Sequence, residues 1–218
     1  MDLSSKPILG VPEPTVRRLP NYLSYLKIIR ETGKEYISAP HIAKDLKLDS
    51  TQVTKDLAYT QVNGKTKIGY QINELIEALE EFLGYNRTNI AFLVGAGNLG
   101  SALIKYNGFL QSGLKIVAAF DIDKDKIWTK VGEIEIFPFA KFQNLVERLH
   151  CVIGIITTPA DATQSVADKM IESGIKAIWN FTPTIIRTSE DVIIENTSIY
   201  SNLAVIINKL DSQKIHAE

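Results

Sequence analysis

The sequence holds a single cysteine, Cys151, in 218 residues, so it forms no internal disulfide, and one thiol alone builds no zinc site. Histidine is scarce as well, limited to His41, His150 and His216, and no metal partner is expected. Charge of one sign is lacking: 24 Lys+Arg against 25 Asp+Glu leave a formal net charge of -1, which excludes a uniformly basic protein. Long apolar runs are missing too. Ile90–Val94 and Val152–Ile156 are too short to span a bilayer, so no membrane partner is expected. Met1–Leu9 lacks the charged-then-apolar order of a leader, and the expectation is a cytoplasmic protein. What is present is the ordinary balance of a folded chain, 45% hydrophobic and 22% charged.

The charge is unevenly divided. Residues 1–70 hold 11 Lys/Arg against 7 Asp/Glu (net +4), and residues 71–218 hold 13 against 18 (net -5). A basic front on an acidic rear predicts two domains with different partners, the first facing something anionic. In the front part, Leu19, Tyr22, Leu23, Leu26 and Ile29 recur at helical spacing until Gly33. Ser38 then precedes a short helix carrying Ala39, Ile42, Ala43 and Leu46. After a Lys47-Leu48-Asp49 turn, Asp49 and Gln52 are spaced like a capping box at the start of a third helix. Val53 and Leu57 face inward there, with Thr60 next in line, while Thr51, Gln52, Lys55, Ala58 and Tyr59 face outward. An expected turn at Asn63-Gly64 leads into a basic strand or wing, Lys65-Thr66-Lys67-Ile68-Gly69-Tyr70. Three short helices and a basic hairpin match a winged helix-turn-helix, whose third helix fits the major groove of double-stranded DNA. A small helical bundle that packs on the next domain has the same pattern. A fourth helix, with Ile72, Leu75, Ile76, Leu79 and Leu83, ends at the joint Gly84-Tyr85-Asn86-Arg87.

The rear part alternates strand and helix. Ile90–Val94 is a buried strand running into Gly95-Ala96-Gly97-Asn98-Leu99-Gly100, with helix expected over Ser101–Tyr106. Ile116–Phe120 is a second strand, closed by Asp121-Ile122-Asp123, and Asp121 stands 21 residues beyond Gly100. A lone GxGxxG says little. Between strand and helix, with an acid closing the next strand, it is a dinucleotide fingerprint. Gly95 allows the tight turn, Gly97 the approach of a pyrophosphate, and Gly100 the helix–strand packing. Asp121 would accept from ribose hydroxyls and repel a 2′-phosphate, favouring NAD(H). The other reading is a glycine-rich turn with no ligand.

Further strands are expected at Ile134–Phe137, Val152–Ile156, Ala177–Trp179 and Val192–Ile194, with helices over Gln143–Leu149 and Ala160–Ser173. This predicts an α/β fold, a Rossmann-type doubly wound parallel sheet. Polar breaks at Thr157-Thr158-Pro159 and Asn180-Phe181-Thr182-Pro183 fall where ligands lie on such sheets, and they also suit ordinary turns. A dehydrogenase needs a proton donor or acceptor near the transferred hydride. The three histidines read as surface residues, Cys151 as inert core, and no Tyr-x-x-x-Lys pair exists. A cofactor site without a catalytic set reads as a sensor. In the tail, Ile199, Tyr200, Leu203 to Ile207 and Leu210 make a helix apolar nearly all round, to be buried by a second subunit or within its own chain. The expected domains are 1–85, winged helix; 86–197, NAD(H)-binding; and 198–218, dimerisation helix and tail.

From Val11 to Leu210 the chain resembles the redox-sensing transcriptional repressors called Rex. The resemblance rests on Val11-Pro12-Glu13-Pro14-Thr15-Val16-Arg17-Arg18-Leu19-Pro20-Asn21-Tyr22-Leu23, Gln52-Val53-Thr54-Lys55-Asp56-Leu57-Ala58-Tyr59 and Gly69-Tyr70. It rests also on the Gly95–Gly100 turn with Ser101-Ala102-Leu103, Tyr106 with Gly108-Phe109, Phe120-Asp121-Ile122-Asp123, Asn180-Phe181-Thr182-Pro183 and Glu195-Asn196. It implies a homodimer, its C-terminal helix exchanged between subunits, that binds operator DNA under NAD+ and releases it when NADH binds. DNA contacts are then expected from Ser50, Thr51, Gln52, Thr54, Lys55, Tyr59, Lys65, Lys67 and Tyr70. Cofactor contacts are expected from Gly95 to Gly100, Asp121, Ile122, Asp123, Thr157, Thr158, Pro159, Asn180, Phe181, Thr182 and Ile199 of a second copy. A neutral nicotinamide is preferred against an apolar Ile199 because desolvating its cation costs more. Arg18, Tyr106 and Ser198 occupy the family's switch positions.

Departures from the family pattern are Thr54 for an arginine, Thr60-Gln61 for Phe-Gly, Thr66-Lys67 for Arg-Gly and Ser198 for an aspartate. They imply a divergent paralogue with weaker or altered operator preference. The alternatives are an NAD-linked oxidoreductase with a helical dimer arm, and a CoA- or nucleotide-sensing regulator.

Overall fold

The computed structural model describes residues 10–215, apart from the side chains of Ile199, Asn202 and residues 213–215. The leader reading at Met1–Leu9 and the histidine His216 lie outside the described residues. The chain divides into two compact units, Met1–Arg87 and Thr88–Glu218.

In the first unit, α1 spans Glu13–Glu31, α2 Ala39–Leu46, α3 Ser50–Ala58 and α4 Ile72–Phe82, and a two-stranded antiparallel ribbon joins β1 (Tyr36–Ile37) to β2 (Tyr70–Gln71). Helix α1 begins well before its apolar stripe and continues through Pro20. Ser38 caps α2 by accepting from the His41 N–H, and Lys47 ends it in the left-handed conformation. Asp49 caps α3 in the same way, accepting from the Gln52 N–H at 2.9 Å. Only half of the expected capping box forms, because the Gln52 side chain is drawn to Arg18 instead. All four helices and β1 meet in one core of Leu19, Tyr22, Leu26, Ile37, Ile42, Val53, Leu57, Ile72, Leu75 and Leu79.

The expected wing changes shape. Asn63-Gly64 does not form the turn. The reversal falls at Thr66-Lys67-Ile68, closed by paired hydrogen bonds between Lys65 and Gly69, with Lys67 at a φ of 65°. The strand proper starts only at Tyr70, since β1 offers just two residues to pair with.

The second unit is a seven-stranded sheet of β3 (Asn89–Val94), β4 (Leu114–Asp121), β5 (Lys130–Val131), β6 (Ile134–Pro138), β7 (Ile153–Ile156), β8 (Ala177–Asn180) and β9 (Ile193–Asn196). Its spatial order is β5-β6-β4-β3-β7-β8-β9, parallel throughout except for the edge strand β5. Numbering the parallel strands by their order in the chain gives 3-2-1-4-5-6, the Rossmann order, whose direction reverses between β3 and β7. Strand β3 feeds both faces. Phe92 and Val94 pack with Phe120, Phe142, Val146 and Met170 on the side of α7 (Phe142–Leu149) and α8 (Thr163–Glu172). Ala91 and Leu93 pack on the other side with Ile116, Ala119 and Ile155, against α5 (Asn98–Ile104) and α6 (Gly108–Gln111).

Two helix boundaries differ from expectation. Helix α5 starts at Asn98 and stops at Ile104, which leaves Tyr106 outside it. Helix α8 starts at Thr163, because Pro159 to Ala162 form turns first. The terminal helix α9 spans Ile199–Ile215, and Tyr200, Leu203, Val205, Ile206, Ile207 and Leu210 are each at least half exposed in the single chain.

Cys151 is buried before β7, and burial pushes its thiol up to about 11. Thiolate is therefore scarce at neutral pH. Iodoacetamide at pH 8 is expected to leave Cys151 unlabelled in the native protein and to modify it in urea; fast native labelling would contradict this burial.

Candidate functional site

The carboxyl ends of β3 and β7 meet at the glycine-rich turn. Gly95 sits at a φ of 101°, and a Cβ there would lie 2.7 Å from the Thr157 carbonyl oxygen. A Cβ on Gly100 would lie 2.1 Å from the Gly95 oxygen and 2.9 Å from Thr157 Oγ1. A Cβ on Gly97 would meet nothing within 4 Å. Two of the three glycines are thus required by the fold itself, and the third leaves open space. The N–H groups in the first turn of α5, at Asn98 and Leu99, have no partner inside the helix. Thr157 Oγ1 donates to the turn, reaching the Gly95 oxygen at 2.7 Å, whereas the buried Thr158 Oγ1 has no protein partner.

Asp121 closes β4 as expected, but its carboxylate is already engaged. Oδ1 accepts from the N–H groups of Ile122 (2.8 Å) and Asp123 (3.0 Å). Oδ2 accepts from the Ala96 N–H (2.9 Å) and from Lys126 Nζ (3.3 Å). Three of these bonds tie β4 to its own loop and to the glycine turn. The fourth, from the half-exposed Lys126, is the one a ribose hydroxyl could replace; Lys126 was not singled out from the sequence.

Asn180 is fully buried and saturated: its amide nitrogen donates to the Thr184 oxygen and Asn196 Oδ1, and its Oδ1 accepts from the Thr182 N–H and hydroxyl. Thr182 Oγ1 also accepts from Thr163. Asn180 and Thr182 therefore anchor the loop after β8 and offer little to a ligand. Phe181 packs at a tilt against Trp179 (4.7 Å between centroids), Trp179 meets Phe109, and Phe109 meets Tyr106. Trp179 Nε1 donates to Thr197. Next to it, Ser198 Oγ accepts from the Ser201 N–H and caps α9, a role open to serine and to the family's aspartate alike. Pro159, in the loop after β7, is exposed, and the Ile199 side chain lies outside the described residues.

In the first unit, α3 exposes Thr51, Thr54 and Lys55, with Ser50 and Gln52 half-buried, and Tyr59 is exposed just beyond its end. Thr54 spends its hydroxyl on the Ser50 oxygen. Lys65 Nζ donates to the Tyr36 hydroxyl at 3.0 Å and sits over that ring, Lys67 marks the wing tip, and Tyr70 is half-buried in β2. The inward face of α3 holds a residue the sequence reading missed. Asp56 is 2% exposed and accepts from Thr15 Oγ1 (2.9 Å), Tyr22 OH (2.8 Å), Arg18 Nε (2.7 Å) and Arg18 NH2 (2.8 Å). Burial raises the Asp56 carboxyl, but the hydrogen bonds from Arg18, Tyr22 and Thr15 outweigh it and hold the group below the ordinary carboxylate range. Arg18, which the family resemblance puts at a switch position, is bonded here to Asp56 of its own unit. The available signal was spacing: Asp56 follows Val53 by three residues, and Thr15, Arg18 and Tyr22 share one face of α1.

The family model of a CoA binding domain matches residues 85–184, and that of a putative DNA-binding protein N-terminus matches residues 10–58. The redox-sensing transcriptional repressor Rex of Bacteroides thetaiotaomicron is 43% identical over 94% of this chain and 93% of its own. The chain belongs to the Rex family. The Rex repressor of Porphyromonas gingivalis is 44% identical over 93% of each chain. Among solved structures, the Rex-family repressor RSP in complex with β-NAD+ and operator DNA superposes with a TM-score of 0.87 at 30% identity, covering 95% of both chains. RSP in complex with β-NADH gives 0.86 at 30% identity, over 95% of this chain and 98% of that one. The Rex assignment accounts for both units at once, the winged helix and the Rossmann sheet.

Proposed function

We propose that this protein is a redox-sensing transcriptional repressor, a regulator and not an enzyme, that binds operator DNA as a homodimer and is released when NADH replaces NAD+. The observation that carries the reading is likeness over the whole length to Rex repressors, including one solved with operator DNA and with each form of the cofactor.

The residues fit NAD(H). Gly97 leaves room for a close approach, the first turn of α5 offers N–H groups to a pyrophosphate, Thr158 has an uncommitted hydroxyl, and Asp121 can exchange Lys126 for a ribose hydroxyl. When bound, the cofactor supplies a ring that is positive when oxidised and neutral when reduced. Pro159 and Phe181 follow the carboxyl ends of β7 and β8, the side of an open parallel sheet on which that half of the cofactor would lie. Helix α3 and the wing supply the DNA-facing groups, with Lys55, Lys65 and Lys67 toward phosphates. The exposed apolar side of α9 supports a dimer, which suits paired half-sites. The setting that goes with this role is the cytoplasm.

The test is fluorescence anisotropy with duplexes that the protein selects from a random pool in NAD+. Tight binding that NADH reverses is expected. Binding indifferent to NADH but reversed by coenzyme A would favour a CoA-sensing regulator, the reading suggested by the CoA-domain match. No selection of any duplex would overturn the repressor reading.

A further inference from the structure

Arg18 on α1 spans two residues of α3 that lie one turn apart. Its Nε and NH2 hold both oxygens of Asp56. NH2 also reaches Thr15 Oγ1 at 3.3 Å, and the end of the fork, NH1 and NH2, meets the Gln52 amide. A guanidinium has donors and no acceptor, so the amide edge facing it is the oxygen. Oriented so, Gln52 Oε1 accepts from NH1 at 3.1 Å and from NH2 at 3.3 Å. Both lone pairs are then committed, and the amide has only its NH2 to present elsewhere. Gln52 is the third residue of α3 after the Asp49 cap, flanked by the exposed Thr51 and Lys55. The N-terminal residues of a recognition helix are those that reach base edges.

We propose that Gln52 is a specificity-determining residue that reads its base pair with donors alone, and that Arg18 is the positioning residue that makes it do so. The proposal rests on the DNA-binding reading above. A free glutamine offers a donor beside an acceptor, the match for adenine N7 and N6–H2. With Oε1 spent on Arg18 that match is lost. The edge that takes two donors is guanine, with O6 and N7. The orientation is firm because Arg18 is itself fixed by Asp56, whose side chain is 3% exposed. Each half-site should therefore carry one guanine, under the first turn of α3, that owes its selection to Gln52.

The experiment repeats the duplex selection with the full-length wild type, Gln52→Met, Gln52→Glu and Arg18→Lys, each checked for a cooperative thermal transition. The wild type is expected to select guanine at one symmetric position. Gln52→Met should flatten that position alone, a loss of about tenfold in discrimination. Gln52→Glu turns the group into an acceptor and should move the position toward cytosine. Arg18→Lys keeps a cation beside Asp56 but loses the fork, so the freed amide should accept adenine there. A merely structural role for Arg18 would lower affinity without changing the chosen base. The proposal is overturned if Gln52→Met leaves every position unchanged, or if folded Arg18→Lys still demands guanine. A wild type that selects no duplex fails differently, since it removes the DNA-binding reading as well.

Discussion

Asp56→Ala is expected to cost the N-terminal unit about 3–5 kcal/mol, the usual penalty for removing one partner of a buried ion pair. The loss leaves the Arg18 guanidinium without its bidentate carboxylate and strips the Tyr22 and Thr15 hydroxyls of their acceptor. Because whole domains are stable by only about 5–15 kcal/mol, such a loss should remove a large share of this small unit's stability. Both tryptophans, Trp128 and Trp179, lie in the second unit, so tryptophan fluorescence reports that unit by itself. In urea the variant should lose its far-UV helical signal early, with the tryptophan transition unmoved. The pH dependence has a definite sign. A carboxyl held below its ordinary value stabilises fully above about pH 4, and the contribution is lost as pH falls through the lower, folded-state value. Asp56→Asn should therefore flatten the acid limb of the first transition. Equal stability of wild type and Asp56→Ala would show that the four hydrogen bonds contribute nothing net.

The second large effect separates two glycines of one turn. Gly100→Ala places a Cβ 2.1 Å from the Gly95 carbonyl oxygen, a backbone atom that cannot turn aside. Either α5 or the Gly95 peptide must move, an overpacking cost of about 1–3 kcal/mol that also opens the cofactor turn. Stability of the second unit and NADH affinity should fall together. Gly97→Ala meets nothing within 4 Å in the protein, so its tryptophan-detected melting should match the wild type. Its NADH affinity should nonetheless drop at least tenfold, by calorimetric titration, if a pyrophosphate passes over that position. Undiminished affinity in Gly97→Ala would place the cofactor elsewhere.

Much of this architecture was legible in the residues. The strands were clear because a parallel sheet buried on both faces needs unbroken apolar runs such as Ile90–Val94. The cap residues Ser38 and Asp49 were legible because a helix start needs an acceptor for its free N–H groups. The early start of α5 was hidden, since Asn98-Leu99-Gly100 has poor helix propensity and is held by packing at the end of β3. The wing was misplaced because Asn-Gly is the stronger turn signal, yet it is Lys67 that takes the left-handed conformation. Asp56 escaped for a simpler reason. A carboxylate is normally read as solvent-facing, and only the three side chains from α1 make its burial tolerable. The engagement of Asp121 with the Ala96 N–H was equally out of reach, because it depends on β3 and β4 lying side by side.

The bonding of α3 to α1 also sets how this repressor can diverge. Single substitutions at Thr51, Lys55 or Ala58 alter exposed positions and leave the Asp56 cluster intact, so a lineage can sample new operators there one step at a time. Changes at Gln52 act on Arg18 as well, and Arg18 cannot change without disturbing Asp56. Drift to a new target is therefore expected to run through the outer positions of the helix, while the base pair under Gln52 stays the slowest letter of the operator to turn over.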